Sequence, residues 1–461
     1  MIGGGFTGNF PRRPGKDNKP DTTLGVVQGN PNLHAPKGFS ENEPRAASSP
    51  VAPPAHNLNF IDIGPKVLSS PSSAPMEPGN SAPAAVKSVG VEAVWKGIVH
   101  GVSGYSKANR EIVKRLDSMA KIRFASGMLW NDAEADEEAR QIWAAHKWDD
   151  VSTSAPRITF LPPSYELKSR YRVIYTMMET EVVHPEMIRI MNDNYEECWT
   201  PTHWNAQAFR QSGLRLPIYV MPLGVDPAIY APTLAARMPT ATLLTTTDAG
   251  RSEIPAGFIF VYVFQPSFRK GLDFLLSAFE EAFYADRDVG LLLGTTAYGL
   301  SGTYGLPNRN IKTRVWALMG KQTERELAAM YRACQVYVCT SRGEGWNLPL
   351  CESAACGLPV IAPRTSVHPE LIPSGYGFFF EQDGYQTYPE AIKVSKWFEG
   401  TPFPQYGAGS KRALVELLRL MRNEYSNAQV IGKRFSAYVR SRYTWGASAR
   451  LIGERIKALC V

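Results

Sequence analysis

Cysteine is scarce in this chain, with six in 461 residues. The opening MIGGGFTGNFPRRPGK has no apolar core of a secretory leader, so a reducing compartment with free thiols is expected rather than a disulfide framework. Cys334, Cys339, Cys351 and Cys356 fall close together, but their spacing fits no common zinc pattern, and they read as small buried hydrophobes. Long apolar runs are missing too. GFIFVYVF (257–264) is far short of the roughly 18–20 residues that span a bilayer, and its β-branched and aromatic content reads as a buried strand. Charge of one sign is not concentrated: 50 Lys and Arg face 43 Asp and Glu, for a net charge of +7. That excludes the dense basic stripe of a nucleic-acid binder. It fits an anionic small substrate or weak peripheral attraction to an acidic membrane surface, and with the free thiols a cytoplasmic location is expected.

Aromatic residues are plentiful, with 10 Trp, 20 Tyr and 20 Phe, and 44% of the chain is hydrophobic. That composition and length fit a globular enzyme of two or three domains. Residues 1–88 depart from it. Stretches such as AASSPVAPPAH cannot bury enough apolar surface to offset ordering, and the region reads as a disordered tail. NLNFIDI (57–63) is its one apolar island. From Val89 on, strands alternate with helices. VEAVWKGIV is followed by a glycine turn and a helix bearing Ala108, Ile112, Val113 and Leu116 on one face; RITFLPPS, RVIYTMME, EECWTPT and LPIYVMPLGVD are further strands. A Pro/Thr-rich stretch within 227–256 reads as a linker. A second run then begins with FIFVYVF, the helix GLDFLLSAFEEAF, VGLLLGT and NIKTRVWAL; Thr323 and Glu326 make a capping box before QVYVCT. The pattern predicts two Rossmann-like α/β domains: 89–235, joined by a C-terminal helix over 445–461, and 236–444. Ligands in such sheets sit at the carboxyl ends of strands.

QVYVCT runs directly into SRGEGWNLPLCESAACGLPVIA (341–362), a loop, a short helix and another strand. Pro349 suits the start of the helix and Gly357 the position just past its end. The free N–H groups at the helix entrance suit an anion such as a diphosphate. Glu344 is expected on the rim, at the carboxyl end of the strand, where a sugar ring presents hydroxyls, and Glu352 lies one turn inside, at a depth suited to a ribose diol. Taken alone, a solvated helix glutamate and an ordinary loop acid explain the pair equally well.

The whole string is more specific. Glu344 to Ile361 resembles the E-x7-E signature of retaining, family-4-type glycosyltransferases (glycosyl transferases group 1), and the likeness extends over most of residues 90–460. The resemblance implies a GT-B fold, a disordered tail apart, with two domains facing across a cleft. It implies a nucleotide-sugar donor of unspecified base, a glycan or lipid-linked acceptor, no resident cofactor and a retaining hexosyl transfer by attack on the face the leaving group departs from. Lys270 matches the family's lysine before glycine, and Arg269 stands beside it; two cations there would neutralise a departing diphosphate. Gly345, Trp346, Asn347 and Leu348 fall at the donor loop, and Gly104 in GVSGYS falls at the glycine loop of the first domain. Many relatives place a histidine at a first-domain strand end; here Glu179 occupies the comparable place, either to orient an acceptor hydroxyl or merely to cap a turn. His100 and His203 read as structural or exposed, and Glu370 as a cap for the turn that follows it.

Asp286-Arg287-Asp288 has the spelling of a metal-binding acid pair, but it joins a helix to a strand and reads as a polar connection, so no catalytic metal is expected. Two other functions remain open at this level: a GT-B protein that binds sugars or nucleotide-sugars without turnover, and a GT-B sugar-nucleotide epimerase.

Overall fold

In the computed structural model, residues 92–101, 103–125, 131, 135–146, 155–163, 171–232, 240–243, 251–253, 257–284, 286–295 and 312–460 are described. The expected tail, 1–88, with its NLNFIDI island, lies outside the described residues.

The first sheet holds six parallel strands: β1 (Glu92–Gly97), β2 (Lys121–Phe124), β3 (Arg157–Phe160), β4 (Arg172–Tyr175), β5 (Glu197–Thr200) and β6 (Ile218–Val220). Their spatial order is β2-β1-β3-β4-β5-β6. Helices α1 (Gly104–Leu116), α2 (Glu137–His146), α3 (Pro185–Asn194) and α4 (His203–Gln211) connect them. The apolar face read on α1 is wholly buried at Ala108, Ile112, Val113 and Leu116. Ser103 starts that helix by accepting the Ser106 N–H, satisfying one of its orphan donors. Tyr175 stacks on Phe160 and meets Trp199 edge to face within this sheet.

The second sheet has the order β14-β13-β12-β9-β10-β11-β7-β8. Its parallel part comprises β9 (Phe258–Val263), β10 (Val289–Thr295), β11 (Arg314–Met319), β12 (Val336–Val338), β13 (Val360–Pro363) and β14 (Phe378–Phe380). Buried on both faces, β10 is one continuous apolar run, as a central parallel strand should be. β7 (Thr240–Leu243) and β8 (Arg251–Glu253) add antiparallel at the edge. The reading of 227–256 as a linker therefore misses two strands; threonine is a good strand former, and β11 offers it an open edge. Helices α5 (Leu272–Phe283), α6 (Glu324–Ala333), α7 (Leu348–Ala355), α8 (His368–Leu371), α9 (Ala391–Val394), α10 (Ala408–Asn423) and α11 (Tyr425–Arg442) complete this half. The Thr323–Glu326 capping box opens α6 as the sequence predicts. A hairpin of β15 (Gly384–Thr387) and β16 (Pro402–Gln405) reaches over to the first half, where Phe398 and Phe403 join a core with Met178, Val183 and Met187.

The chain passes between the halves at two adjacent places. Val225 on the outward crossing and Thr444 on the return form a parallel bridge. Gly224 lies so close that a Cβ there would stand 2.3 Å from the Thr444 carbonyl carbon and the Trp445 nitrogen. The last helix, α12 (Trp445–Cys460), then packs on α1, with Arg455 Nη2 2.5 Å from Glu197 Oε2 at the end of the first sheet. Among the described residues no helix is long and apolar enough to cross a membrane.

Candidate active site

The carboxyl end of β4, the turn after β9 and the loop after β12 meet between the two sheets. After β9 the chain makes one 3-10 turn, Phe268–Lys270, and leaves it through Gly271 at φ 62°. A Cβ at Gly271 would come within 2.2 Å of the Thr340 carbonyl, so glycine is required both for that conformation and for the close approach. The Lys270 carbonyl is held by the hydroxyls of Tyr262 (2.9 Å) and Thr340 (3.2 Å). The turn thus aims Arg269 and Lys270 at the loop after β12. Lys270 Nζ lies 2.5 Å from Glu344 Oε1, and Arg269 Nη1 lies 3.2 Å from Glu344 Oε2 while also donating to the Gly343 carbonyl. From the first half, Glu179 Oε1 approaches Arg269 Nη2 at 3.5 Å. The structure therefore gathers Glu179, Arg269, Lys270 and Glu344 in one cluster.

Burial opposes charge on Glu344, but Lys270 and Arg269 outweigh it and hold its carboxyl down to about 2. Lys270 is lowered, by burial first and then by Arg269, despite its carboxylate partner. Glu179 is raised by burial, against the pull of Arg269 and with a push from Glu344. Two cations thus face two acids, of which Glu344 is held firmly ionised while Glu179 is raised. The expectation that Glu344 stands on a rim is corrected: its residue is 7% exposed, covered by its own ion pairs and by β4's loop. Gly343 and Gly345 permit that cover, since a Cβ would meet the Glu179 carbonyl at 2.0 Å or Met177 at 2.4 Å.

Asn347 closes the loop at φ 83° and caps α7 by accepting the Leu350 N–H through Oδ1 at 3.2 Å. The helix begins at Leu348, with Pro349 in its first turn and Gly357, at φ 95°, past its end. Asn347 Nδ2 meets Nε2 of fully buried His368 at 3.1 Å, and His368 Nδ1 meets the Thr365 carbonyl at 3.0 Å. Burial holds His368 down to about 4, so the ring is neutral, donating from Nδ1 and accepting from Asn347. His368 thereby fixes which way the Asn347 amide faces. The Trp346 ring turns away from the cluster into the core, edge-on to Tyr443 at 5.1 Å between centroids, which leaves only its backbone for a donor contact. Leu348 is buried and meets Gly104 across the junction, 3.6 Å from a Cβ placed there.

Glu352, one turn inside α7, is also buried, but it is engaged. Lys107 of α1 lies 2.5 Å from its Oε1, and the Tyr331 hydroxyl donates to its Oε2 at 3.2 Å. No sequence signal links Lys107 to a residue 245 positions away. Asn205 was likewise missed: it accepts the Met178 N–H at 2.7 Å and donates to the Gly345 carbonyl at 2.8 Å, pinning the two site loops together. Glu370 does not cap its own turn. Its two oxygens accept the His203 and Trp204 N–H groups, each at 2.9 Å, at the start of α4.

Residues 256–394 match the family glycosyl transferases group 1. An uncharacterized glycosyltransferase of Methanocaldococcus jannaschii is 29% identical over 135 residues, 29% of this chain and 36% of the relative. A protein of Sulfolobus islandicus rod-shaped virus 1 is 20% identical over 196 residues, 42% of this chain and 52% of its own length. The chain thus spans about half and about a third of these curated relatives. Among solved structures, Anabaena HepE in complex with UDP and glucose shares the fold with a TM-score of 0.56 at 13% identity, covering 80% of this chain and all of that one (100%). Sucrose-phosphate synthase from Thermosynechococcus elongatus gives 0.55 at 15% identity over 80% and 98% of the two chains.

Proposed function

Because the chain carries a glycosyl transferases group 1 domain over residues 256–394 on a GT-B fold, we propose that it is a retaining glycosyltransferase. It moves a hexose from a nucleotide-sugar to a glycan or lipid-linked acceptor. The observation that carries this reading is the cluster of Lys270, Arg269 and Glu344 in the loop that opens α7, where two cations converge on one carboxylate. That HepE was solved with UDP and glucose, and with UDP-glucose, supports a nucleotide-sugar donor.

In this reading Arg269 and Lys270 take the donor diphosphate, and their charge stabilises it as it departs. No metal is part of the proposal, because two cations already stand where the negative charge develops. Glu344 exchanges part of its ion pairing for sugar hydroxyls, with the backbone N–H groups of Gly345 to Leu348 beside it. Glu352 takes the ribose diol. Glu179 orients the acceptor hydroxyl; burial raises its carboxyl against the pull of Arg269, which suits a group that takes up a proton more readily than a free glutamate. The close packing of Gly343 and Gly345 on the first half excludes water from the junction and limits hydrolysis.

The test is incubation with UDP-, GDP- and ADP-hexoses and a panel of glycan and lipid acceptors, following free nucleoside diphosphate and the anomeric configuration of the product by NMR. Acceptor-dependent release with retained configuration supports the reading. Tight nucleotide-sugar binding without release would make the chain a binding protein, and an isomerised donor sugar would make it an epimerase.

A further inference from the structure

Lys107 sits where two halves of the molecule meet, and every proton of its ammonium has an acceptor. It bonds Glu352 Oε1 at 2.5 Å and the Tyr230 hydroxyl at 3.1 Å, and it pairs with Glu324. Tyr230 passes the chain on, donating to Glu324 Oε2 at 2.7 Å. The ammonium also lies 4.8 Å from the Tyr230 ring centre. Side chains of Lys107 and Glu352 are 11% and 4% exposed, whereas Glu324 is 34% exposed. One buried cation therefore divides itself between an inner carboxylate on α7 and an outer one on α6.

A diol on Glu352 has to compete for its oxygens. Two vicinal hydroxyls bound side by side use an acceptor site on each carboxylate oxygen. Lys107 already takes one site on Oε1 and Tyr331 one on Oε2, and with the side chain only 4% exposed a hydroxyl reaches Oε1 by displacing the ammonium. A hydroxyl of Tyr331 can yield at the cost of an ordinary hydrogen bond; the ammonium contact is charge-assisted and stronger. Glu324 and Tyr230 already hold the ammonium's other two protons, so Lys107 has partners to rest on once it gives up Glu352.

We propose that Lys107 is a counter-ion within the donor site and sets its nucleotide affinity: it holds Glu352 until a ribose 2′,3′-diol takes that oxygen, and then rests on Glu324 and Tyr230. The inference depends on the ribose assignment made above for Glu352. Because Lys107 belongs to the first half and Glu352 to the second, the exchange also makes nucleotide binding loosen one tie between them. Glu324 acts as the positioning partner that makes the release affordable.

The experiment is isothermal calorimetry on the full chain with the tightest binder among UDP, GDP and ADP, its 2′,3′-dideoxy analogue, and inorganic pyrophosphate. Lys107→Met removes the competitor, so the ribonucleotide should bind about tenfold tighter or more. The dideoxy analogue and pyrophosphate, which do not use Glu352, should keep their native affinity. Glu324→Gln removes the alternative partner and should weaken the ribonucleotide several-fold. These opposite signs are the signature of exchange. Unchanged or weaker ribonucleotide binding by Lys107→Met, or equal tightening for the dideoxy analogue, would overturn it. Should Lys107→Met not fold, Glu324→Gln decides alone: weaker binding supports the exchange, unchanged or tighter binding refutes it. If the native chain binds none of the nucleotides, the nucleotide-sugar reading itself falls and takes the exchange with it; if the native chain binds and the variants do not differ, the exchange alone is lost.

Discussion

Lys270 Nζ and Glu344 Oε1 stand 2.5 Å apart although 74 positions separate them in the chain. Neither residue is free to point elsewhere. The Lys270 backbone is locked by Tyr262 and Thr340, and the Glu344 N–H donates to Ser366 Oγ at 3.3 Å. Both loops are thus fixed from behind, which is what a site needs if it is to present charge without reorganising at the moment of reaction.

Lys270→Ala tests that point. Turnover should fall roughly 10²-fold or more if the ammonium acts on charge that develops as the diphosphate leaves. KM for the donor should change far less than kcat. Arg269 still pairs with Glu344 in the variant, so folding should persist, checked by circular dichroism. Unaltered kcat would remove Lys270 from the mechanism.

Glu352→Ala addresses the donor instead. It should weaken nucleoside diphosphate binding about tenfold or more, the worth of a hydrogen bond to a charged group, while leaving pyrophosphate affinity intact. Calorimetry with both ligands separates a ribose contact from a general loosening of α7. Equal loss for the two would reassign Glu352 to structure.

Acid should strip stability in two stages. His368 is held down from 6.5 to about 4, chiefly by burial, so the unfolded chain binds its proton first; the stability this neutral ring contributes is complete above pH 6.5 and is lost as pH falls toward 4. Glu344 is held down from 4.5 to about 2 despite burial, by Lys270 and Arg269, so its contribution is present above pH 4.5 and lost toward pH 2. The His368 stage is worth about 3 kcal/mol at most. Chemical denaturation from pH 7 to 3 should show the upper limb, and His368→Gln, which retains an acceptor for Asn347, should flatten it. A native profile that is flat between pH 6.5 and 4 would contradict the buried neutral ring.

Glu370→Ala removes both acceptors from the start of α4. The loss should be about 0.5–2 kcal/mol, in the range of helix-cap deletions, read as a lowered Tm. Because the cap crosses from one half to the other, hydrogen exchange at His203 and Trp204 should rise in the variant as well. Protection there that matches the native chain would show that Thr202, whose hydroxyl accepts the Asn205 N–H at 3.1 Å, caps α4 unaided.

Much of this arrangement is legible in the chain itself. Period and punctuation mark α1, α5, α6 and the parallel strands, because each is built from its own neighbours in sequence. Glu344, Asn347 and Glu352 are legible for the same reason: one strand, one loop and one helix entrance carry all three. What escaped reading has partners far away. Lys107 looks like a surface lysine on an amphipathic helix until Glu352 is set against it, and Asn205 looks like a helix residue until Gly345 arrives. His368 carries no local sign of its burial; Cys339 and Asn347, which meet its Nε2, lie 29 and 21 positions away. Trp346 is legible as a residue of the donor loop, but its ring direction is not, because Tyr443, far along the chain, claims it.

The doubled passage at Val225 and Thr444 has a mechanical consequence. Two segments laid side by side and zipped by hydrogen bonds, Val225 N to the Tyr443 carbonyl at 3.0 Å and Trp445 N to the Val225 carbonyl at 3.3 Å, behave as a piano hinge rather than a swivel. Such a joint lets the lobes swing about one line and resists torsion around any other. Opening about that line would carry Lys107 away from Glu352 and Glu179 away from Arg269 together, and closing would re-seat both pairs.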